Sequence, residues 1–380
     1  MSRKKSTRAR TRPIRTTLTR WVFTPLAGVR LGDWLRLLRK QGAAISPRYW
    51  PRTLFTTIMA CGNSMLARSE RRHYSARASL VVIRAPIFII GHHRSGTTHL
   101  WNMLATDDRL VYPTVLQAVF PHTFLTCERA MHGVATRLTP SRRPQDNVTF
   151  GPDSPIEEER AICTRCFCSM QMFRHFPHSV EEFKPYLTMR DATPEERARW
   201  RDALDYFARK LVVRRGADAT LLFKAPDHTG KIRLILEQFP DARFIHIHRD
   251  PYEVFASTRQ MELATQPLYA YQAMDGGMLD EFILWRYAAM HDAFFEDAPR
   301  IPPGQFAETA FTDLRADPVG EVTRVVREIG LDGPDTPALE RYVSSIAGYR
   351  MNQRPALDDD VRERIAHRWR RCFDTWGYPV

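Results

Sequence analysis

One stretch limits what this chain can fold into: a short β-branched apolar run that ends in glycine and passes into a helix. Residues 81–91, VVIRAPIFIIG, read as a buried parallel strand. HLWNMLA follows at helical spacing, with Leu100, Met103 and Leu104 on one face. Between them lies Gly91-His92-His93-Arg94-Ser95-Gly96-Thr97-Thr98. A phosphate cradle needs this context: glycines for a tight turn, free amides at a helix N-terminus, and the positive end of the helix dipole. Thr97 and Thr98 add hydroxyl groups, and Arg94 adds a planar cation suited to bidentate contacts. The spacing is like that of a nucleoside-triphosphate loop, but Thr97 stands where the lysine that reaches the β- and γ-phosphates belongs. A glycine-containing turn without a ligand is the plainer alternative.

The pattern repeats downstream. Strands are expected at 220–224, 242–247 and 305–311, with helices at 231–239, from residue 251, and at 319–329. Strands alternating with helices imply an α/β fold, a parallel β-sheet flanked by helices. Residues 113–215 read as largely helical or irregular, with a loop at 140–155. Residues 358–376 read as an amphipathic helix with Val361, Ile365, Trp369, Cys372 and Trp376 on one side. Upstream, Leu31, Trp34, Leu35 and Leu38 mark one helix and residues 49–66 a second. The organisation expected is a basic tail at 1–22, a helical N-terminal extension at 23–80 and one domain at 81–380.

Charge is unevenly spread. Of the net +13, residues 1–20 supply eight positive charges and no acid, so the other 360 residues carry +5. Such an arm suits anionic partners, either as a surface-binding element or as a solvated tail. With 43% hydrophobic residues wholesale disorder is excluded, and no apolar run is long enough to cross a bilayer. Neither a cleavable secretory signal nor a disulfide scaffold is legible, so a cytoplasmic, reducing location is expected. No zinc-finger, aromatic RNA-binding or heptad pattern points to specific nucleic-acid reading. Cys163, Cys166 and Cys168, with His175 and His178 downstream, have zinc-like spacing, but the same stretch reads as a helix with buried thiols. No metal is expected.

The Arg-Ser-Gly-Thr-Thr run after a hydrophobic strand resembles the 5′-phosphosulfate loop of sulfotransferases that use 3′-phosphoadenosine 5′-phosphosulfate (PAPS). Cytosolic members usually carry Lys-Ser-Gly-Thr-Thr; tyrosylprotein-type and many bacterial members carry the arginine form. The family's second signature is an Arg at a strand end with a Ser eight residues on, and Arg249 and Ser257 match it. Open α/β sheets bind ligands at that end of a strand. A third match is LLFKAPDHTGKI, which places Lys224 twenty-five residues before Arg249. The resemblance implies the P-loop-like sulfotransferase fold over residues 80–380. It also implies that Arg94, Ser95, Gly96, Thr97 and Thr98 hold the 5′-phosphosulfate, while Arg249 and Ser257 hold the 3′-phosphate.

The implied reaction is in-line transfer of a sulfuryl group to a hydroxyl or amine, releasing adenosine 3′,5′-bisphosphate. Arg94 cannot readily give up a proton, so its role is electrostatic. Lys224 is placed to contact the sulfonate or the leaving group. His228 is the first choice of base, because imidazole accepts protons near neutrality. Glu157-Glu158-Glu159 is the second, with Glu158 at its centre; tyrosylprotein-type enzymes use a Glu base. Gln117 occupies a region where relatives often carry another Glu. The acceptor is left as a small molecule, a lipid or a glycan. A nucleotide-dependent phosphotransferase and a non-catalytic protein binding anionic surfaces are the competing functions. The helix around Trp34, with the basic tail, either lies on the inner membrane surface or packs on the enzyme's own core.

Overall fold

Ile87–Ile90 (β1) forms the centre of a five-stranded sheet in the order β2-β3-β1-β4-β5, with β2 at Leu110–Val111, β3 at Thr220–Lys224, β4 at Arg243–His248 and β5 at Phe306–Ala310. Every pairing is parallel. Phe88 lies opposite Phe223 on one side and Phe244 on the other; Ile89 lies opposite Lys224 and Ile245. The computed structural model describes residues 24–139, 150–216, 219–274, 276–348 and 357–380. The basic tail expected at 1–22, and residues 140–149 of the expected loop, lie outside the described residues.

The main helices are α1 (Leu31–Gln41), α2 (Trp50–Ser79), α3 (Thr97–Leu104), α4 (Glu159–Cys166), α5 (Pro194–Arg215), α6 (Ile232–Gln238), α7 (Pro251–Tyr269), α8 (Gly276–Asp297), α9 (Pro318–Glu328), α10 (Asp359–Arg368) and α11 (Arg370–Trp376). Alternation along each strand sends side chains to two cores. Ile87, Ile89, Leu222, Ile245 and Ile247 meet Leu100, Met103 and Leu104 of α3 and Val322, Val325 and Val326 of α9. Phe88, Ile90, Phe223 and Phe244 meet Trp200, Leu204 and Phe207 of α5 and Ile232 and Ile235 of α6. A sheet covered on both faces needs strands that are apolar throughout, which is why β1 reads as a continuous apolar run.

Four local expectations need correcting. The first strand begins at Ile87 and not at Val81. Ala85 adopts a positive φ of 40°, its amide donates to Asp241 Oδ2 at 2.6 Å, and Val82 is exposed, so 81–86 is a loop leading into the sheet. The two-residue edge strand β2 was not anticipated. The helix expected over 49–66 runs on to Ser79. The expected helix at 358–376 is broken at Trp369, whose φ of −111° and ψ of 17° leave the helical region. No described helix is long and apolar enough to cross a membrane.

Helix α1 packs on the protein itself. Trp34 is fully buried, its indole N–H donates to Thr57 Oγ1 at 2.8 Å, and its ring lies 5.7 Å from that of Tyr271. Leu35, expected on the apolar face, is exposed, and Leu37 is buried in its place. Leu26, Val29, Trp34, Leu37 and Ala60 belong to the same core cluster as Phe88.

Gly28 marks how closely this N-terminal part fits. A Cβ there would sit 1.8 Å from the backbone oxygen of Val119. Gly28→Ala must push two backbones apart, so it should cost about 1–3 kcal/mol in urea denaturation. A variant within about 0.5 kcal/mol of the parent would contradict this packing.

Candidate active site

The loop after β1 is shaped by two glycines with positive φ, Gly91 at 133° and Gly96 at 110°. A Cβ on Gly91 would lie 2.3 Å from the oxygen of Ile247, and one on Gly96 would lie 2.4 Å from the Phe311 ring. The chain must pass that close to β4 and β5, so both positions require glycine. Arg94 between them is also left-handed, with φ 71°. Ser95 Oγ donates to the carbonyl of His92 at 2.7 Å and tightens the turn. Gly96 then serves as the N-cap of α3, so Thr97 and Thr98 stand in the first turn, where amides have no helical partner.

Arg249 sits one residue past β4, and Asp250 caps the next helix by accepting from the amides of Tyr252 at 2.8 Å and Glu253 at 3.2 Å. That cap aims α7 so that Ser257 faces the loop. Arg94 Nε donates to Ser257 Oγ at 2.9 Å. Arg249 Nη1 donates to the carbonyl of Arg94 at 3.4 Å, and its guanidinium lies 4.4 Å from the centre of the Phe311 ring. Arg249 also pairs with Glu253. Arg94, Ser95, Gly96, Arg249 and Ser257 thus meet at the carboxyl ends of β1 and β4. A cleft of about 420 Å³ beside β4 and β5 is lined by His248, Glu308, Thr309, Asp313, Trp376 and Tyr378.

Lys224 ends β3, on the other side of β1. Its Nζ lies 2.8 Å from Glu157 Oε1 and 5.0 Å from the Trp101 ring, and its amide donates to Glu158 Oε2 at 3.0 Å. Burial opposes ionisation of Glu157, but Lys224 and Arg160 hold its carboxyl well below the usual carboxylate range. Glu157 keeps some solvent access; Glu158 and Glu159 have none.

His228 is also fully enclosed. Its Nδ1 is 3.0 Å from Glu158 Oε1 and its Nε2 is 3.3 Å from Glu159 Oε2, ion-pair distances without hydrogen-bond alignment. Burial lowers the imidazole pKa, and the Glu158 and Glu159 carboxylates more than offset this, raising it to about 9. The ring expected to receive the acceptor's proton is therefore an enclosed cation held between two acids. Glu159 is further bound by Lys231 Nζ at 2.9 Å, Ser169 Oγ at 2.8 Å and the Trp200 indole at 3.3 Å.

Sequence reasoning missed several contacts. Thr229 Oγ1 accepts the amide of Gly91 at 2.7 Å, which ties the turn after β3 to the loop. His93 lies 3.7 Å from Asp227, and burial together with Arg286 lowers its pKa. Thr229 and Asp227 both fall in the LLFKAPDHTGKI segment, on either side of His228, and that segment is the sequence signal for them. Gln117 closes a helix cap with Thr114 and donates to Glu128 at 2.8 Å. Cys163 and Cys168 are buried, Cys166 donates to the carbonyl of Ile162, and His175 faces the carbonyl of Tyr269. Among the described residues no group of three or more His, Cys, Asp or Glu side chains is placed to hold a metal.

The raised pKa of His228 has a consequence for stability. The folded value of about 9 exceeds the unfolded value of 6.5, so this cation stabilises the fold fully below 6.5, and the contribution is lost as pH rises toward 9. Lys210, lowered to about 8, acts in the opposite sense above that pH, and the buried histidines with depressed pKa values, such as His92, His175 and His291, do so around 6.5 as the unfolded chain loses protons. The difference between parent and variant isolates His228: the stability of His228→Gln relative to the parent should rise between pH 6.5 and 8. A difference that does not change with pH across this window contradicts the buried cation.

Residues 86–335 match the Sulfotransferase family. The omega-hydroxy-beta-dihydromenaquinone-9 sulfotransferases Stf3 of Mycobacterium bovis and Mycobacterium tuberculosis are 30% identical over 361 residues, 94% of this chain and 92% of theirs. The crystal structure of sulfotransferase STF1 from Mycobacterium tuberculosis superposes with a TM-score of 0.63 at 18% identity, covering 94% of this chain and 99% of that one. That of STF9 from Mycobacterium avium gives 0.65 at 16%, covering 98% of each. Both share the P-loop-like sulfotransferase fold, and the phosphotransferase reading falls away. The chain belongs to the sulfotransferase family and is an enzyme that moves a sulfuryl group from PAPS to an acceptor.

Proposed function

We propose that Arg94, Ser95, Gly96, Thr97 and Thr98 hold the 5′-phosphosulfate of PAPS, and that Arg249 and Ser257 hold its 3′-phosphate. The observation that carries this reading is the 2.9 Å contact between Arg94 and Ser257, which joins two motifs 163 residues apart in sequence. A loop kept free of Cβ atoms at Gly91 and Gly96 suits close backbone approach to an anion.

The proton acceptor in this reading is Glu157, in place of His228 or Glu158. It is the one carboxylate of the three with solvent access, and Lys224 lies against it. The acceptor oxygen forms a bond to sulfur while the bond from sulfur to the bridging oxygen breaks. The electron pair stays on the departing phosphate oxygen, where Arg94 and Lys224 offset its charge, and the acceptor's proton passes to Glu157. As Lys224 turns toward the leaving group, Glu157 loses the nearer of the cations that lower its pKa and becomes a better base. Glu158 and His228 position this pair from behind.

The mycobacterial relatives named above act on an omega-hydroxy menaquinone-derived compound. We propose an acceptor of that kind here, a hydroxyl at the end of a long isoprenoid chain. An enzyme for such an acceptor belongs at the inner face of the cytoplasmic membrane, where the eight cations of residues 1–20 would meet acidic lipid.

Two measurements test the site. Arg249→Ala should weaken binding of adenosine 3′,5′-bisphosphate about tenfold or more, and binding of adenosine 5′-phosphate far less. Equal losses for the two nucleotides contradict the assignment. Glu157→Gln should lower turnover of a polyprenyl alcohol in detergent by about 10²–10⁴-fold, with bisphosphate affinity nearly unchanged. Retained turnover in this variant would remove Glu157 as the base.

A further inference from the structure

Helix α2 turns a row of large apolar side chains to solvent. Trp50, Leu54, Ile58 and Met65 are 62%, 63%, 63% and 76% exposed, and Cys61 is exposed between them. Steps of four, four, three and four residues place all five along one line of the helix. The opposite face, with Arg52, Thr56, Ala60, Asn63 and Ala67, is buried against the body. Thr56 bonds the Tyr271 hydroxyl at 2.9 Å, and Arg52 donates to the carbonyl of Pro267 at 2.7 Å, which fixes the rotation of the helix. The row is therefore held outward by specific contacts.

Charge continues the line. Arg68 and Arg72 take the next positions on the same face, both exposed, with exposed Arg71 and Arg77 beside them and exposed Arg48 just before the helix. The one acid in α2, Glu70, is turned inward and paired with Lys210. Beyond the helix, Leu80 and Val82 are exposed as well. An occupant must be apolar along the middle and anionic at the margin. A second copy of this chain fails the second requirement, because either orientation of two α2 helices sets arginine against arginine.

We propose that α2 is the membrane-docking surface of this enzyme. The row from Trp50 to Met65 sinks among acyl chains, and Arg68 and Arg72 rest on anionic lipid headgroups. Trp50, at the start of the row, is the residue type that sits at a bilayer interface. The assignment refines the membrane location proposed above and moves its apolar part from α1, whose Trp34 is buried, to α2. It does not depend on the identity of the acceptor.

Sedimentation of the full-length protein with vesicles of phosphatidylcholine, with and without phosphatidylglycerol, tests the proposal. The parent should bind the anionic vesicles. The triple variant Leu54→Ser, Ile58→Ser, Met65→Ser changes only exposed positions and should bind about tenfold more weakly or worse, with adenosine 3′,5′-bisphosphate binding intact. Deleting residues 1–20 should remove salt-sensitive binding and leave a salt-resistant remainder that the triple variant lacks. Triple-variant binding equal to the parent's overturns the α2 assignment; if deletion of residues 1–20 alone then abolishes binding, the membrane location survives on the tail. No binding by the parent at low salt overturns both. A parent dimer in light scattering that the triple variant dissolves, or tighter vesicle binding after deletion of residues 1–20, shows that the chain covers the row itself and also overturns it.

Discussion

Three consecutive carboxylates, Glu157, Glu158 and Glu159, are matched with three cations, Lys224, His228 and Lys231, that leave the end of β3 within eight residues. A buried charge without a partner is expensive enough that removing one member of such a pair typically costs about 3–5 kcal/mol. The two segments are consequently interdependent. The turn at Pro226–Gly230 cannot shift without separating His228 from Glu158 and Glu159. Thr229 in that turn holds the Gly91 amide, so the geometry of the loop after β1 is set partly by an ion-pair cluster on the neighbouring strand.

A second buried set lies under the same loop. Arg174 makes a two-pronged contact with Glu262, and Arg286 lies 3.4 Å from the same carboxylate. Burial and this arginine keep His92 and His93 neutral, their pKa values depressed. The positive field at the loop thus comes from guanidinium groups and the helix end, which do not titrate near neutrality. The two histidines fill space in the loop after β1 without making its charge depend on pH near neutrality.

The parts legible in the sequence were those fixed by local chemistry. Strand β1, its loop and α3 were recognisable because apolar run, glycine and helical spacing occur in one continuous segment, and Arg249 and Ser257 because eight residues separate them. What escaped reading depends on distant partners. His228 looked like a base because its sequence neighbours say nothing of Glu158 and Glu159, which approach from some seventy residues away. The face of α1 was misjudged at Leu35 and Leu37 because both are equally apolar, and only Tyr271 and Thr57 decide which side of Trp34 turns inward. The edge strand β2 is two residues long and carries no periodicity to detect.

The register of the central strand bears on how the chain is made. Phe88 pairs with Phe223 and Phe244, so β1 leaves the ribosome with neither neighbour yet in existence. At ordinary elongation rates the wait for β3 is on the order of ten seconds. During that time an apolar strand and the outward row of α2 are both available to whatever meets them. Nascent chains of this protein are therefore natural clients for a holding chaperone, and a premature stop before residue 220 leaves a fragment whose central strand has no parallel neighbour on either side.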